Sequence, residues 1–530
     1  MLLTLLLIPI FTAFVLMLRP ARESALIATV GSLAAFAWSL LIWRAFDFAD
    51  SAAIQLAASW TWIEPLGLRL SLGVDSIALL LVMLTAGLMP LAILGSWTAI
   101  TQRVREFYLW LLILETAMLA VFMARDLLVF YLAFEFTLIP MFFLIAVYGS
   151  TNRARASIVF FLYTFTGSII TLIGLLYVAW AHWNLHGQWT FDIAALTATA
   201  ASMSDSQQAW VLLALCCGFA VKVPLFPVHT WLPLAHTEAP TAGSVILAAV
   251  LLKLGTYGLY RFAMPMCPAA FHEYAPLLAI LCIIGIIYGS LICWVQRDMK
   301  RLIAYSSVSH LGFCVLGLAA VNTAGVGGSV MYMINHGLST GALFLCIGMV
   351  YERFHTRSMD ELGGLARRMP VWTFFTIFFV LSSVGLPGLN GFVGEFLTFF
   401  GAFTSGQAVQ GRPTAGPLGP WYGAIAATGM ILAAIYLLYF AGHLVFGTYH
   451  LPDTSHDGHD DHAHTRLPRD LSMREIVVLA PLAFFCLWLG VQPGAILSRI
   501  EQPVSEIVTH VNVAAQRSML ITALDSPEGR

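Results

Sequence analysis

Six ionisable side chains stand inside long apolar runs: Glu135, Lys222, Lys253, His310, His336 and Glu395. A carboxylate and an amine held together in a medium of low dielectric control each other's proton affinity. Paired, the amine keeps its proton; separated, it tends to give the proton to the next group. Histidine titrates near neutrality and suits the step between two such sites. Glu135, Lys222, Lys253, His310, His336 and Glu395 are therefore read as the members of a proton relay. Glu115 is a further carboxylate in an apolar run, and a satisfied structural role is open to it. His229 and His236 flank the end of the Lys222 segment.

Lys222, Glu135 and Glu395 stand beside backbone that cannot be regular helix, and His310 and His336 at helical spacing from a polar neighbour, while Lys253 lies within the apolar run SVILAAVLLKLGTYGLY. Lys222 lies in CGFAVKVPLFPVHTWLP, residues 217–233. Pro224 and Pro227 lack the N–H groups that would bond the carbonyls of Ala220 and Val223. Glu135 lies in FYLAFEFTLIPMFFLI, where Pro140 leaves the carbonyl of Phe136 unpaired. Glu395 is the last but one residue of LSSVGLPGLNGFVGEF, where Pro387 and four glycines interrupt the helix. Ser306 is one turn before His310, and Thr340 one turn after His336. Charge beside broken backbone at membrane depth is tolerated where it lines a protein-enclosed or hydrated path.

The elements that must position these groups are membrane helices. Of 530 residues, 59% are hydrophobic and 10% charged, and mean hydropathy is +0.84. A soluble globular domain does not have this balance. The net charge of −2 gives no sign of nucleic-acid binding. The eight cysteines show no metal or cluster spacing, so they read as small buried hydrophobes. Neither a metal site nor a cofactor site is expected on this chain. The tract His456 to His464, HDGHDDHAH, has a metal-binding composition but reads better as a solvated loop. The first apolar run lacks a basic flank and a cleavage site, so a transmembrane helix is expected there and not a signal peptide.

The expected fold is an all-α polytopic membrane protein of about 14 transmembrane helices. Spans are placed near 2–18, 24–44, 74–97, 107–124, 127–148, 156–181, 208–227, 241–262, 276–296, 302–321, 327–351, 371–402, 421–447 and 475–497. An amphipathic helix follows over 497–517, with Ile500, Val504, Ile507, Val508 and Val511 on one face. With the N-terminus outside, arginine and lysine favour the inner loops about two to one. Only Lys222 and Lys253 then fall within spans. The two broken spans, at Lys222 and before Glu395, cross in opposite senses, which suggests two inverted five-helix repeats. The chain divides into helices 1–3 over 1–106, a first repeat over 107–262 and a second over 276–447. A His-rich cytoplasmic loop over 448–474 follows, then a last helix with the amphipathic helix over 475–530.

FEFTLIPMFFLI, KVPLFPVHTWLP, HTEAPTAGSVILAAVLLKLGTYGLYRF, DMKRLIAYSSVSHLGF and GLPGLNGFVGEF together resemble the antiporter-like, proton-pumping subunits of respiratory complex I, NADH–quinone oxidoreductase. The resemblance covers about residues 70–450 and is nearest to the subunit M branch, called subunit 4 in mitochondria. It implies fourteen helices, two inverted repeats and a proton path of Glu135, Lys222, Lys253, His310, His336 and Glu395. It also implies sister antiporter-like subunits as partners, and a bacterial inner membrane with both termini periplasmic. NADH, FMN, iron–sulfur clusters and quinone would belong to partner subunits. Related sodium/proton antiporter subunits usually carry lysine where this chain has Glu395, so the antiporter alternative is disfavoured. The other rival is a scaffold whose polar groups only hold the bundle together.

Overall fold

The computed structural model describes residues 1–407, 416–450 and 469–525. The tract His456 to His464 lies outside these residues. The chain is an all-α bundle of apolar helices. Eleven helices among the described residues are long and apolar enough to cross a membrane. The remaining expected spans fall on a short first helix, α1 (Leu2–Leu18), and on two helices interrupted midway.

The order begins with α1 and α2 (Ser24–Ala45). A two-stranded antiparallel hairpin follows, β1 (Gln55–Ile63) and β2 (Leu68–Val74), with Trp60 opposite Leu70. Sequence reading did not anticipate this hairpin, because its alternation of apolar and polar residues is short and lies beside a strong helix signal. Next come α3 (Ser76–Gly95) and α4 (Val104–Met123). Asp75 caps α3 by accepting from the Ala78 N–H at 2.8 Å.

The expected span over 127–148 is two helices, α5 (Leu127–Phe136) and α6 (Leu138–Tyr148), divided at Thr137. The division falls where Pro140 removes a donor. After α7 (Arg153–His186) and α8 (Ile193–Ala201), α9 (Asp205–Lys222) ends on its lysine, and α10 (Trp231–Glu238) resumes the crossing. The carbonyl of Ala220 is not left free, contrary to the proline argument. The Leu225 N–H reaches back to it at 2.9 Å, and the Trp231 indole N–H donates to the Val221 carbonyl at 2.9 Å. Of the two carbonyls expected to be freed, that of Ala220 is thus satisfied by the break's own residues.

The span around Lys253 is built from α11 (Thr241–Ile246), α12 (Leu252–Gly258) and α13 (Met264–Met266). These are joined by two π-helical stretches over Leu247–Leu251 and Leu259–Ala263. Such widened turns displace the hydrogen-bond ladder and mark functional sites more often than chance. Helices α14 (Pro268–Val295), α15 (Met299–Ala319) and α16 (Thr323–Phe354) follow. The apolar stretches of Thr241–Met266 and Thr323–Phe354 are wholly enclosed by other helices. An element apolar all round belongs in the centre of a bundle, and these two carry Lys253 and His336.

The second interrupted crossing is α17 (Pro370–Val384) and α18 (Asn390–Thr404). Between them Gly385 has φ +80° and Gly388 φ +94°, a left-handed backbone that suits glycine. Asn335 on α16 donates from its amide to the Asn390 carbonyl at 2.6 Å, which fixes the start of α18 to the central helix. The chain closes with α19 (Pro420–Val445), α20 (Met473–Val491) and α21 (Gly494–Asp525). On α21, Ile500, Val504, Val508 and Val511 are buried as the spacing requires, while Ile507 is only half-buried.

Candidate functional site

The six expected residues fall into two groups. The first lies where the α5–α6 division meets the end of α9. Lys222 is 3% exposed. Its Nζ donates to Thr137 Oγ1 at 3.4 Å and stands 4.8 Å from the centre of the Phe134 ring. Thr137 can serve the ammonium because it ends α5, where its hydroxyl also donates to the Phe134 carbonyl at 2.7 Å. Glu135 is half-buried, and neither of its carboxylate oxygens has a hydrogen-bond partner. The Ser168 hydroxyl stands close to it short of full hydrogen-bond geometry, and Lys222 acts on it by charge. Glu135 and Lys222 are thus neighbours that feel each other's charge without forming an ion pair.

The second group is closed. Lys253 is fully buried, and its Nζ lies 2.6 Å from the Ala248 carbonyl and 2.6 Å from His336 Nδ1. The π-helical stretch before α12 makes that carbonyl reachable. An ammonium can only donate, so Nδ1 of His336 is the acceptor and Nε2 carries the ring proton. That Nε2 has no partner, and the ring centre is 5.7 Å from that of His310. His310 Nδ1 lies 3.1 Å from Glu395 Oε1 and 2.5 Å from the Tyr332 hydroxyl. Tyr332 also donates to Glu395 Oε1. With its proton so committed, the Tyr332 oxygen can only accept from His310, which assigns the proton to Nδ1. On the other side of the ring, the Tyr436 hydroxyl is 3.2 Å from His310 Nε2. Glu395 Oε2 has no bonding partner, and a Cβ built on Gly385 would sit 2.7 Å from it.

Four of the six expected residues are thus gathered at the centre, as Lys253–His336 and His310–Glu395 either side of a short gap. Glu135 and Lys222 form the separate first group. Three participants escaped sequence reading. Thr137 directly follows two residues after Glu135 at a proline-weakened turn, which was a usable signal. Tyr332 is one turn before His336 on α16, also usable. Tyr436 lies on α19 with no local signal at all.

The flanking histidines are buried too. His229 is 3% exposed and His236 fully buried, stacked on Phe344 with ring centres 4.7 Å apart. Neither His236 nitrogen has a hydrogen-bond partner. Lys300, which the charge count treats as an inner-loop residue, is only 4% exposed and donates to the Ala239 carbonyl at 2.8 Å. Nothing in DMKRL distinguishes a lysine folded inward from one in solvent.

Residues 124–411 match the family model for the NADH:quinone oxidoreductase/Mrp antiporter transmembrane region. Similarity extends well beyond that segment. The chain is 41% identical over 501 residues to NADH-quinone oxidoreductase subunit M of Rhodobacter capsulatus, covering 92% of this chain and 91% of the relative. This chain belongs to the NADH:quinone oxidoreductase/Mrp antiporter family. Within that family it is also 39% identical over 510 residues to NADH-ubiquinone oxidoreductase chain 4 of Arabidopsis thaliana, covering 96% of each chain. Among solved structures, a chain of respiratory complex I from Thermus thermophilus superposes with TM-score 0.83 at 28% identity, covering 96% of this chain and all of that one. A chain of the Mrp complex from Dietzia sp. DQ12-45-1b shares the family fold, with TM-score 0.80 at 20% identity over 97% of this chain and 99% of that one.

Proposed function

We propose that this chain is a proton-translocating membrane subunit of NADH–quinone oxidoreductase. Two relatives near 40% identity over almost the whole chain carry that enzyme's name. The Mrp likeness, at 20%, bears on fold alone, and this supports the oxidoreductase reading over the antiporter one. Electron transfer from NADH through FMN and iron–sulfur clusters to quinone is assigned to partner subunits, with sister antiporter-like subunits beside this chain in a bacterial inner membrane. Both termini are assigned to the periplasmic side by the arginine and lysine distribution. The fourteen crossings are assigned as helices 1–3 over 1–106, inverted repeats over 107–262 and 276–447, and a final helix over 475–530. The interruptions in α9–α10 and α17–α18 support that arrangement.

The observation that carries this reading is the buried contact of Lys253 Nζ with His336 Nδ1 at 2.6 Å, directed towards His310 and Glu395. In the proposed cycle, closing the Glu135–Lys222 pair holds a proton on the amine. Opening it leaves an ammonium served by one hydroxyl and a ring face, which releases its proton more readily. Lys253 gives its proton to His336 Nδ1 while Nε2–H passes on towards His310. His310 and Tyr332 then transfer to Glu395. Moving one charge against 100 mV costs about 2.3 kcal/mol, within what forming or losing one buried pair can supply.

Two experiments test this. Affinity purification of the tagged chain in mild detergent is expected to yield NADH dehydrogenase activity with flavin and cluster subunits. In the same assembled enzyme, Lys222→Ala is expected to abolish quinone-linked proton uptake. Full uptake in an assembled Lys222→Ala enzyme contradicts the relay.

A further inference from the structure

Among the described residues, Glu115 is the fully buried carboxyl with both oxygens unpartnered. It is 0% exposed on α4, and neither oxygen has a hydrogen-bond partner. No protein group of the described residues satisfies it. A buried polar group without a protein partner implies water or a bound proton beside it.

A second such group lies on the same face. Tyr108 is seven residues earlier, within about 20° around the helix and about 10 Å along it. Tyr108 is also 0% exposed, and its hydroxyl makes no hydrogen bond of full geometry, with Ser96 close enough to interact with it. Its polar neighbours are Ser96, at the end of α3, and Arg474, in the first turn of α20. Arg474 in turn donates to Thr98, which is exposed, at 2.8 Å. Polar groups therefore run from the surface at Thr98 to Tyr108, and buried Leu111 and Leu112 fill the turn of α4 between Tyr108 and Glu115. Seven residues beyond Glu115 on the same face, Phe122 packs edge-on against Tyr257 with ring centres 5.2 Å apart. Tyr257 is one turn after Lys253. Because α4 and the α11–α13 span cross in the same direction, Glu115 lies about one turn inward of the level of Lys253.

We propose that Glu115 is an additional proton-loading site, supplied with water and protons from the inner surface along the Tyr108 face of α4 and feeding the Lys253 half of the relay. This rests on the proton-translocating reading above. In each transfer the Glu115 carboxylic O–H gives its proton through water to the neutral Lys253 amine. The carboxylate so formed takes a proton from the inner side by way of water beside Tyr108.

The test uses the assembled enzyme in proteoliposomes, with the initial rate of NADH-driven proton uptake measured for Glu115→Gln, Glu115→Leu and Glu115→Asp. Removing an unpartnered buried carboxyl relieves a desolvation cost, so Gln and Leu variants are expected to assemble and melt no lower than wild type. Both are expected to slow uptake at least about threefold, and Asp to recover more than half the rate. Tyr108→Phe is expected to change uptake in the same direction. Wild-type uptake by Glu115→Gln overturns the proposal. So does impairment of the Leu variant alone, which is the mark of packing. Lys222→Ala measured in parallel separates the two claims. If it loses uptake while Glu115→Gln keeps it, the Glu115 site alone fails. If both keep it, the relay itself fails.

Discussion

The two carboxylate sites of this chain solve one problem in opposite ways. At the first, Glu135 makes no hydrogen bond and Lys222 has a single hydroxyl at 3.4 Å. At the second, one oxygen of Glu395 is held by both Tyr332 and His310, and Tyr436 secures the far side of the imidazole. Both stand beside a proline-broken crossing, so the break alone does not decide how tightly a charge is held. What differs is the supply of neighbours. Helix α16 brings Tyr332 and His336 to the second site on one stripe, whereas at the first site Lys222 is met by Thr137 and an aromatic ring and Glu135 has Ser168 nearby. A loosely held pair is easy to open and close. A networked carboxyl is a stable proton acceptor. The contrast supports assigning the switching step to Glu135–Lys222 and the receiving step to Glu395.

That contrast can be broken from either side. Glu395→Gln removes the receiving charge and is expected to have the largest effect, cutting coupled proton uptake by about a hundredfold. Glu395→Lys should do less damage, because the resemblance implies lysine at this place in related antiporter subunits; uptake assays of the assembled variants rank the two. Tyr332→Phe leaves His310 and Glu395 in contact but removes the hydroxyl between them. A loss of about tenfold in uptake, with assembly intact on native gels, is expected. Gly385→Ala sets a methyl against the free Glu395 oxygen at a φ of +80°, which should destabilise the subunit by about 1–2 kcal/mol and lower its melting temperature. The smallest change is Thr137→Val, with an expected two- to threefold loss of about 0.5 kcal/mol in transition-state terms. If Thr137→Val proves worse than Tyr332→Phe, the assignment of loose and tight sites is reversed.

Much of this was legible from residues alone. Membrane helices announce themselves by length and apolarity, and proline and glycine mark where they fail. The division at Thr137 and the interruption before Asn390 came from those signals. Contacts between distant helices did not. The Lys253–His336 pair joins positions 83 residues apart, and Tyr436 reaches His310 across 126. No local pattern encodes such pairings. Ala220 shows the converse error. Counting lost N–H donors gave a free carbonyl, but a loop residue can turn back and bond it, as Leu225 does. Lys300 and Glu115 show that burial of a charge near a helix end, or the lack of a partner deep inside, depends on neighbouring helices and not on the run that carries it.

The central claim is that protons cross through Lys253 and its histidine partners. The direct measurement is the number of protons taken up per NADH oxidised by proteoliposomes bearing Lys253→Met, with assembly checked on the same preparation. The account predicts a ratio below wild type, with proton uptake falling at least about tenfold. An intact ratio at wild-type turnover would contradict it.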